Sequence, residues 1–353
     1  MNAEALEFTI AGGLDPGEEH VRIPGPHPGL SLFLRYLPAL PDARPDRRVV
    51  LYVHGGTFPS GLSIAHRFDG RSWRDVLHAA GFDVWGLDFH GFGRLSDPYP
   101  EMRRPAEGVA PLGRAADASR QLEHAVRFIC RRHGMERISI VAHSWGTIVS
   151  GLFATDHPEL VDRLVFFGPI GRRPRTTDPV RLPAWRLISL EDQRNRFTET
   201  VPPGAAPVLS RRHFDEWGER YLDIDPDSRS RSPASVKVPS GAFQDIFDSW
   251  AGTLAYDPGR VRAPVAIIRG EWDAYCTDED ARWLFDALTA SPLKRDIKIG
   301  RGTHLMHLET MRYALYRETI AFLDGGDEEP NLSDRRHESI IPKKACPGLS
   351  RHS

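Results

Sequence analysis

Cysteine is scarce. Cys130, Cys276 and Cys346 are the three present in 353 residues, too few and too scattered for a disulfide framework or a zinc site. Charge of one sign is also lacking: 46 basic residues face 48 acidic ones, for a net charge of -2. No overall field exists to hold a polyanion, so nucleic-acid binding finds no support. No window approaches the roughly 20 uninterrupted apolar residues that a membrane helix needs. The opening MNAEALEFTIAGGLDPGEEH is acidic and has no basic segment ahead of an apolar one. It does not read as a signal peptide, and a cytoplasmic protein is the expectation. No internal repeat is visible. GFG at 91–93 lacks the rest of a dinucleotide fingerprint, and no phosphate-binding G-x-x-x-x-G-K-[ST] occurs. DIDPD at 223–227 begins like a calcium loop, but Ser228 stands where Gly is required and Ala234 where Glu is required. His304 and His307 in HLMH have no third ligand nearby, so the sequence calls for neither metal nor cofactor.

What is present is ordinary globular composition, 40% hydrophobic and 27% charged. The length fits two average domains, or one large α/β domain with an insertion. LEFTI (6–10) and LSLFLRYL (30–37) carry a strand signal, and VRIPGPHPG between them suits a turn and little else. From residue 49 strands alternate with helices. VVLYV (49–53), FDVWGLD (82–88), RISIVA (137–142), LVDRLVFFG (160–168), APVAIIRG (263–270) and RDIKIG (295–300) read as strands. SWRDVLHAA (72–80), residues 113–133, WGTIVSGLFATDH (145–157), DEDARWLFDALTA (278–290) and residues 308–325 read as helices. Such alternation predicts a mostly parallel sheet of about eight strands with helices on both faces. Residues 170–256 break the rhythm. They are rich in Arg, Pro, Asp and Ser, and read as a helical insertion without a sheet of its own. The expected organisation is a core of residues 1–169 and 257–325, an insertion at 170–256, and a disordered tail at 326–353.

The chemistry centres on AHSWG at 142–146, between a strand and a helix. A Ser there sits on a tight corner with Oγ exposed at the carboxyl edge of the sheet, the geometry of a nucleophile elbow. The corner is crowded, and Ala142 and Gly146 are small enough for it. The competing reading makes Ser144 the N-cap of the following helix. A Ser hydroxyl needs a base, and the base needs an orienting carboxylate. Asp273 lies just past the strand at 263–270, and His304 just past the strand at 295–300. All three sit at strand carboxyl ends, where open α/β sheets build sites. Glu271 is the rival to Asp273. His307 is expected to pack or cap, and His143 to point away from Ser144 Oγ. The Gly-rich loop LYVHGGTFPSG (51–61) supplies backbone donors for a developing oxyanion, from Gly56 or Thr57 together with Trp145. His54 and Gly55 would support that loop.

With these residues in place the chain resembles the α/β-hydrolase superfamily over about residues 30–325. The resemblance rests on HGG at 54–56, LDFHGFGRLSD at 87–97, AHSWG, RGEWD and GTHLMHLE. It implies Ser144 as nucleophile, Asp273 as acid and His304 as base, and makes 170–256 a cap roofing the pocket. Ala142 replaces the usual Gly, and Leu95–Ser96 departs from a Gly-x-Ser turn. The implied activity is a serine hydrolase acting on a carboxylic ester or related small acyl substrate. Epoxide- and halide-cleaving members use an Asp nucleophile, which position 144 lacks. A proline-iminopeptidase-like enzyme would hold its substrate amine with cap acids such as Glu216, Glu219, Asp223 or Asp245. A carbon–carbon bond hydrolase, an acyltransferase and a non-catalytic ligand receptor complete the alternatives. Trp185, Phe214, Trp217, Phe243, Phe247 and Trp250 line either a pocket or the core of the insertion.

Overall fold

The computed structural model describes residues 17–40, 48–175 and 180–325. The strand reading at 6–10, the tail at 326–353 and Cys346 lie outside them. In chain order the first half carries β1 (Glu19–Pro24), β2 (Ser31–Leu37), β3 (Arg48–Val53), α1 (Trp73–Ala79) and β4 (Phe82–Asp88). It continues with α2 (Ala115–His133), β5 (Ile138–His143), α3 (Trp145–Asp156) and β6 (Val161–Phe167). The insertion holds β7 (Trp185–Ser189), α4 (Leu190–Thr198), α5 (Arg211–Asp223), β8 (Ser235–Pro239) and α6 (Gly241–Trp250). The chain then returns with β9 (Val265–Gly270), α7 (Asp278–Ala287), β10 (Lys294–Ile299) and α8 (Arg312–Leu323).

Eight strands form one sheet in the order β1-β2-β4-β3-β5-β6-β9-β10. β1 and β2 are antiparallel to their neighbours, and every pairing from β4 to β10 is parallel. Alternation along β3 shows why the sheet must be covered twice. Val49, Leu51 and Val53 join the core on one face with α2 and α3, while Val50 and Tyr52 join the core on the other with α1 and α8. All five are buried, each worth roughly 1.5–3 kcal/mol for a Val- or Leu-sized side chain. The helix ends follow local chemistry. Ser72 and Thr277 close capping boxes with Asp75 and Asp280, and Gly134 ends α2 in the left-handed conformation.

Two expectations are corrected. VRIP is not a turn: β1 pairs with β2, Val21 opposite Leu34 and Ile23 opposite Leu32, with Val21 and Ile23 buried. Pro24 is tolerated because it ends an edge strand, where its missing N–H breaks no ladder. The insertion is not purely helical either. β7 and β8 pair antiparallel, Trp185 opposite Pro239 and Ser189 opposite Ser235. Each has five residues, and the two meet only after α4 and α5 have intervened, so no local pattern announces the pairing.

Candidate active site

The parallel register brings several loops to one edge of the sheet. His143 at the end of β5 lies opposite Phe167 of β6, and Phe167 lies opposite Ile268 of β9. The loops after β5, β6, β9 and β10 therefore converge. Ser144 is the N-cap of α3 by position, but its side chain caps nothing. Its backbone is held at φ 55, ψ -125, a strained conformation for a residue with a Cβ. Its Oγ lies 2.7 Å from His304 Nε2. His304 Nδ1 lies 3.0 Å from each carboxylate oxygen of Asp273. The Asp273 carboxylate also accepts from the backbone N–H of Tyr275 at 2.8 Å and of Cys276 at 3.0 Å. Hydroxyl, imidazole and carboxylate thus form one chain, with Ser144 and His304 only 2% and 3% exposed.

Close packing explains the small residues. A side chain at Gly146 would put its Cβ 2.6 Å from the carbonyl oxygen of His54, so only Gly lets α3 start this near β3. Gly168, just past β6, has φ +54 and would set a Cβ 2.9 Å from His304 Nδ1 and 3.0 Å from Asp273 Oδ2. This residue was not singled out from sequence, although FFG ends a strand at the same edge. Gly168→Ala is expected to displace the imidazole and lower kcat about a hundredfold, with circular dichroism still native. Turnover equal to wild type would contradict the assigned packing.

The loop after β3 lies against the elbow. A Cβ at Gly55 would come within 3.2 Å of Ser144 Cβ, and one at Gly56 within 2.9 Å of Ala242 on α6. Neither the Gly56 nor the Thr57 amide donates to an acceptor among the described residues. Trp145 is the first residue of α3, where helical amides have no intrahelical partner. His54 Nδ1 donates to the Gly55 carbonyl at 2.6 Å, and its Nε2 accepts from the Phe89 amide at 3.2 Å. Burial pushes its pKa down, so a neutral ring ties two loops together.

Other histidines serve the floor of the site. His143 Nε2 donates to the His304 carbonyl at 2.9 Å, and its ring stacks on Phe167. It turns away from Ser144 Oγ and holds the main chain of the imidazole opposite. His307 lies in the 3-10 turn Met306–Leu308, packed between Phe58, Trp73 and His143. Burial first, then neighbouring imidazoles, hold both His143 and His307 well below the ordinary histidine range. Tyr275 stacks on the His304 ring with centroids 4.6 Å apart. Glu271 does not compete with Asp273: it is exposed and accepts from the Arg301 amide. Of the acids weighed for binding an amine, Glu219 and Asp223 pair with Arg229 on the surface, and Glu216 lies beside Arg212 and Arg220. Asp245 is buried against Arg114, the Ala115 amide and Trp145 Nε1.

Glu309, also missed from sequence, accepts from the amide and hydroxyl of Thr303, the residue before His304. Burial pushes its carboxyl up to about 7, with the negative charge of Asp273 adding to the shift. An unfolded carboxyl ionises near 4.5. Between those values the folded state holds the extra proton, so this group's contribution is intact below 4.5 and lost as pH rises through 7. Glu309→Gln is expected to remove a pH-dependent loss on the order of 3 kcal/mol. Thermal unfolding from pH 4.5 to 8 checks it: the variant's melting temperature should fall less steeply than that of wild type.

The sequence model of a family described as alpha/beta hydrolase fold matches residues 48–310. No curated relative matches the chain. Among solved structures, it is similar to a thioesterase domain from the curacin biosynthetic pathway, at 13% identity and TM-score 0.56, covering 87% of this chain and 99% of that one. A serine hydrolase of the polyaromatic-hydrocarbon-degrading bacterium Cycloclasticus zankles gives 16% identity, TM-score 0.55 and coverage of 89% and 100%. An epoxide hydrolase of Vigna radiata gives 14%, 0.55, and 88% and 99%. At these identities the likeness is one of fold. No helix among the described residues is long and apolar enough to cross a membrane.

Proposed function

The chain belongs to the alpha/beta hydrolase fold family, and on that premise we propose that it is a serine hydrolase cleaving a carboxylic ester or related small acyl substrate through an acyl-enzyme. The observation that carries this is the 2.7 Å contact from Ser144 Oγ to His304 Nε2, made by a serine with no capping role. His304 takes the Ser144 proton as Oγ attacks the carbonyl carbon. Asp273 holds the Nδ1–H tautomer and stabilises the imidazolium. The amides of Gly56 or Thr57 and of Trp145 stabilise the tetrahedral oxyanion. The imidazolium returns the proton to the leaving group, which departs, and water hydrolyses the acyl-enzyme by the same route in reverse order. In this reading residues 170–256 cap the site and the rest of the described chain is the catalytic core.

Position 144 argues against the epoxide chemistry named for the Vigna radiata neighbour, because the family's epoxide-cleaving members use Asp there. Arginine pairing of Glu216, Glu219, Asp223 and Asp245 argues against an aminopeptidase, whose substrate amine needs a free carboxylate. A panel of p-nitrophenyl esters tests the proposal. A burst of nitrophenol followed by steady turnover supports an acyl-enzyme. No turnover of any ester, together with no loss of free enzyme to an organophosphonate, would overturn it.

A further inference from the structure

We propose that the site selects an acyl substrate carrying a negative charge, a carboxylate or a phosphate, held by Arg186 and Arg196 of the insertion. The inference rests on the acyl-hydrolase reading above and adds the class of substrate. Arg196 projects from α4 to the oxyanion-side loop, where Nη1 donates to Thr57 Oγ1 at 2.5 Å and to Gln193 Oε1 at 3.1 Å. Its guanidinium carbon lies 6.0 Å from the ring centroid of Tyr275, the residue stacked on His304. Arg186, on β7, lies with its guanidinium 4.3 Å over the Phe243 ring. Among the described residues its buried Nε has no hydrogen-bond partner.

Burial together with pairing makes these two stand out in the insertion: Arg172 and Arg181 also have no acid partner among the described residues but are exposed, whereas Arg186 and Arg196 are half-buried. Arg173 pairs with Asp280, Arg212 with Asp69, Arg229 with Glu219 and Asp223, and Arg231 with Asp225. Among the described residues neither Arg186 nor Arg196 has such a partner. The carboxylate whose charge acts on Arg186 is that of Asp192, which accepts from the amide and hydroxyl of Ser189 in the capping box of α4. Burial draws the Arg186 pKa down against the opposing pull of Asp192 and Tyr275. A half-buried cation without a counter-charge is costly. An incoming anion would supply that charge through charge-assisted bonds, strongest where water is excluded. A neutral acyl chain would leave both guanidinium groups unpaired.

The test compares kcat/KM for matched p-nitrophenyl esters whose acyl chains end in a methyl group, a carboxylate or a phosphate monoester. A second pair carries the carboxylate on the leaving alcohol. Wild type is expected to favour one anionic ester over its neutral match at least about tenfold, a single charge-assisted contact being worth that much. Arg186→Gln and Arg196→Gln should each cut the ratio severalfold, and Arg196→Lys should restore part of it. The ratio is independent of the fraction of correctly folded enzyme, so partial misfolding does not mimic the effect. The ester that is favoured identifies the anion and its position. Ser144-dependent turnover with no anion preference, or a preference unmoved by both Gln substitutions, would overturn this inference and leave the hydrolase reading standing. No turnover and no phosphonate labelling would remove both.

Discussion

Ser144→Ala is expected to lower ester turnover roughly 10⁶-fold in kcat, with far-ultraviolet circular dichroism and thermal unfolding close to wild type. The size follows from what is removed. On the proposed mechanism no acyl-enzyme forms without Oγ, and the remaining rate is what backbone donors near Gly56 and Trp145 would give to attack by water. His304→Ala should cost about as much alone, because among the described residues Oγ has no other base within reach: His143 Nε2 is turned to the His304 carbonyl. The double variant is expected to be scarcely slower than either single one, since the two groups act as a unit. Additive losses would mean that serine and histidine serve separate steps. Steady-state kinetics of the three variants with one ester checks the pattern.

Asp273→Asn is expected to lower kcat about 10⁴-fold with a small change in KM. The local hydrogen bonds set the direction. Oδ1 accepts from the amides of Tyr275 and Cys276, so the amide oxygen of Asn keeps that place and its NH₂ is left facing His304 Nδ1. A donor there favours the tautomer protonated on Nε2, which cannot accept the Ser144 proton. The site would be intact in shape and wrong in protonation. Asp273→Ala leaves space and no misplaced donor, and should be impaired to a similar degree for lack of an orienting charge. Turnover by Asp273→Asn within tenfold of wild type would remove Asp273 from the mechanism.

How much of this was legible in the sequence depended on range. The runs VVLYV and FDVWGLD carry their own strand signal because a strand buried on both faces needs no alternation. AHSWG, RGEWD and GTHLMHLE each fall just after such a run, so the shared sheet edge followed from the alternation itself. Three places resisted. In β1 the clustered Pro and Gly of VRIPGPHPG outweighed the alternation of Val21 and Ile23. β7 and β8 are short and pair across α4 and α5, and only three-dimensional packing defines them. Around the site, Gly168, Glu309, Tyr275, Arg186 and Arg196 are placed by contacts between distant segments. Gly168 left a positional hint at the end of β6. The two arginines left none, because many arginines occupy the insertion and only burial together with partners distinguishes them.

The central claim is that the Ser144 hydroxyl, activated by His304, is the attacking atom. Peptide mass spectrometry after reaction with a fluorophosphonate measures it most directly, with ester turnover followed on the same sample. A single adduct on the peptide containing Ser144, rising in step with the loss of turnover and absent from His304→Ala, is the result expected. An adduct elsewhere, or full turnover remaining in protein fully modified at Ser144, would contradict it.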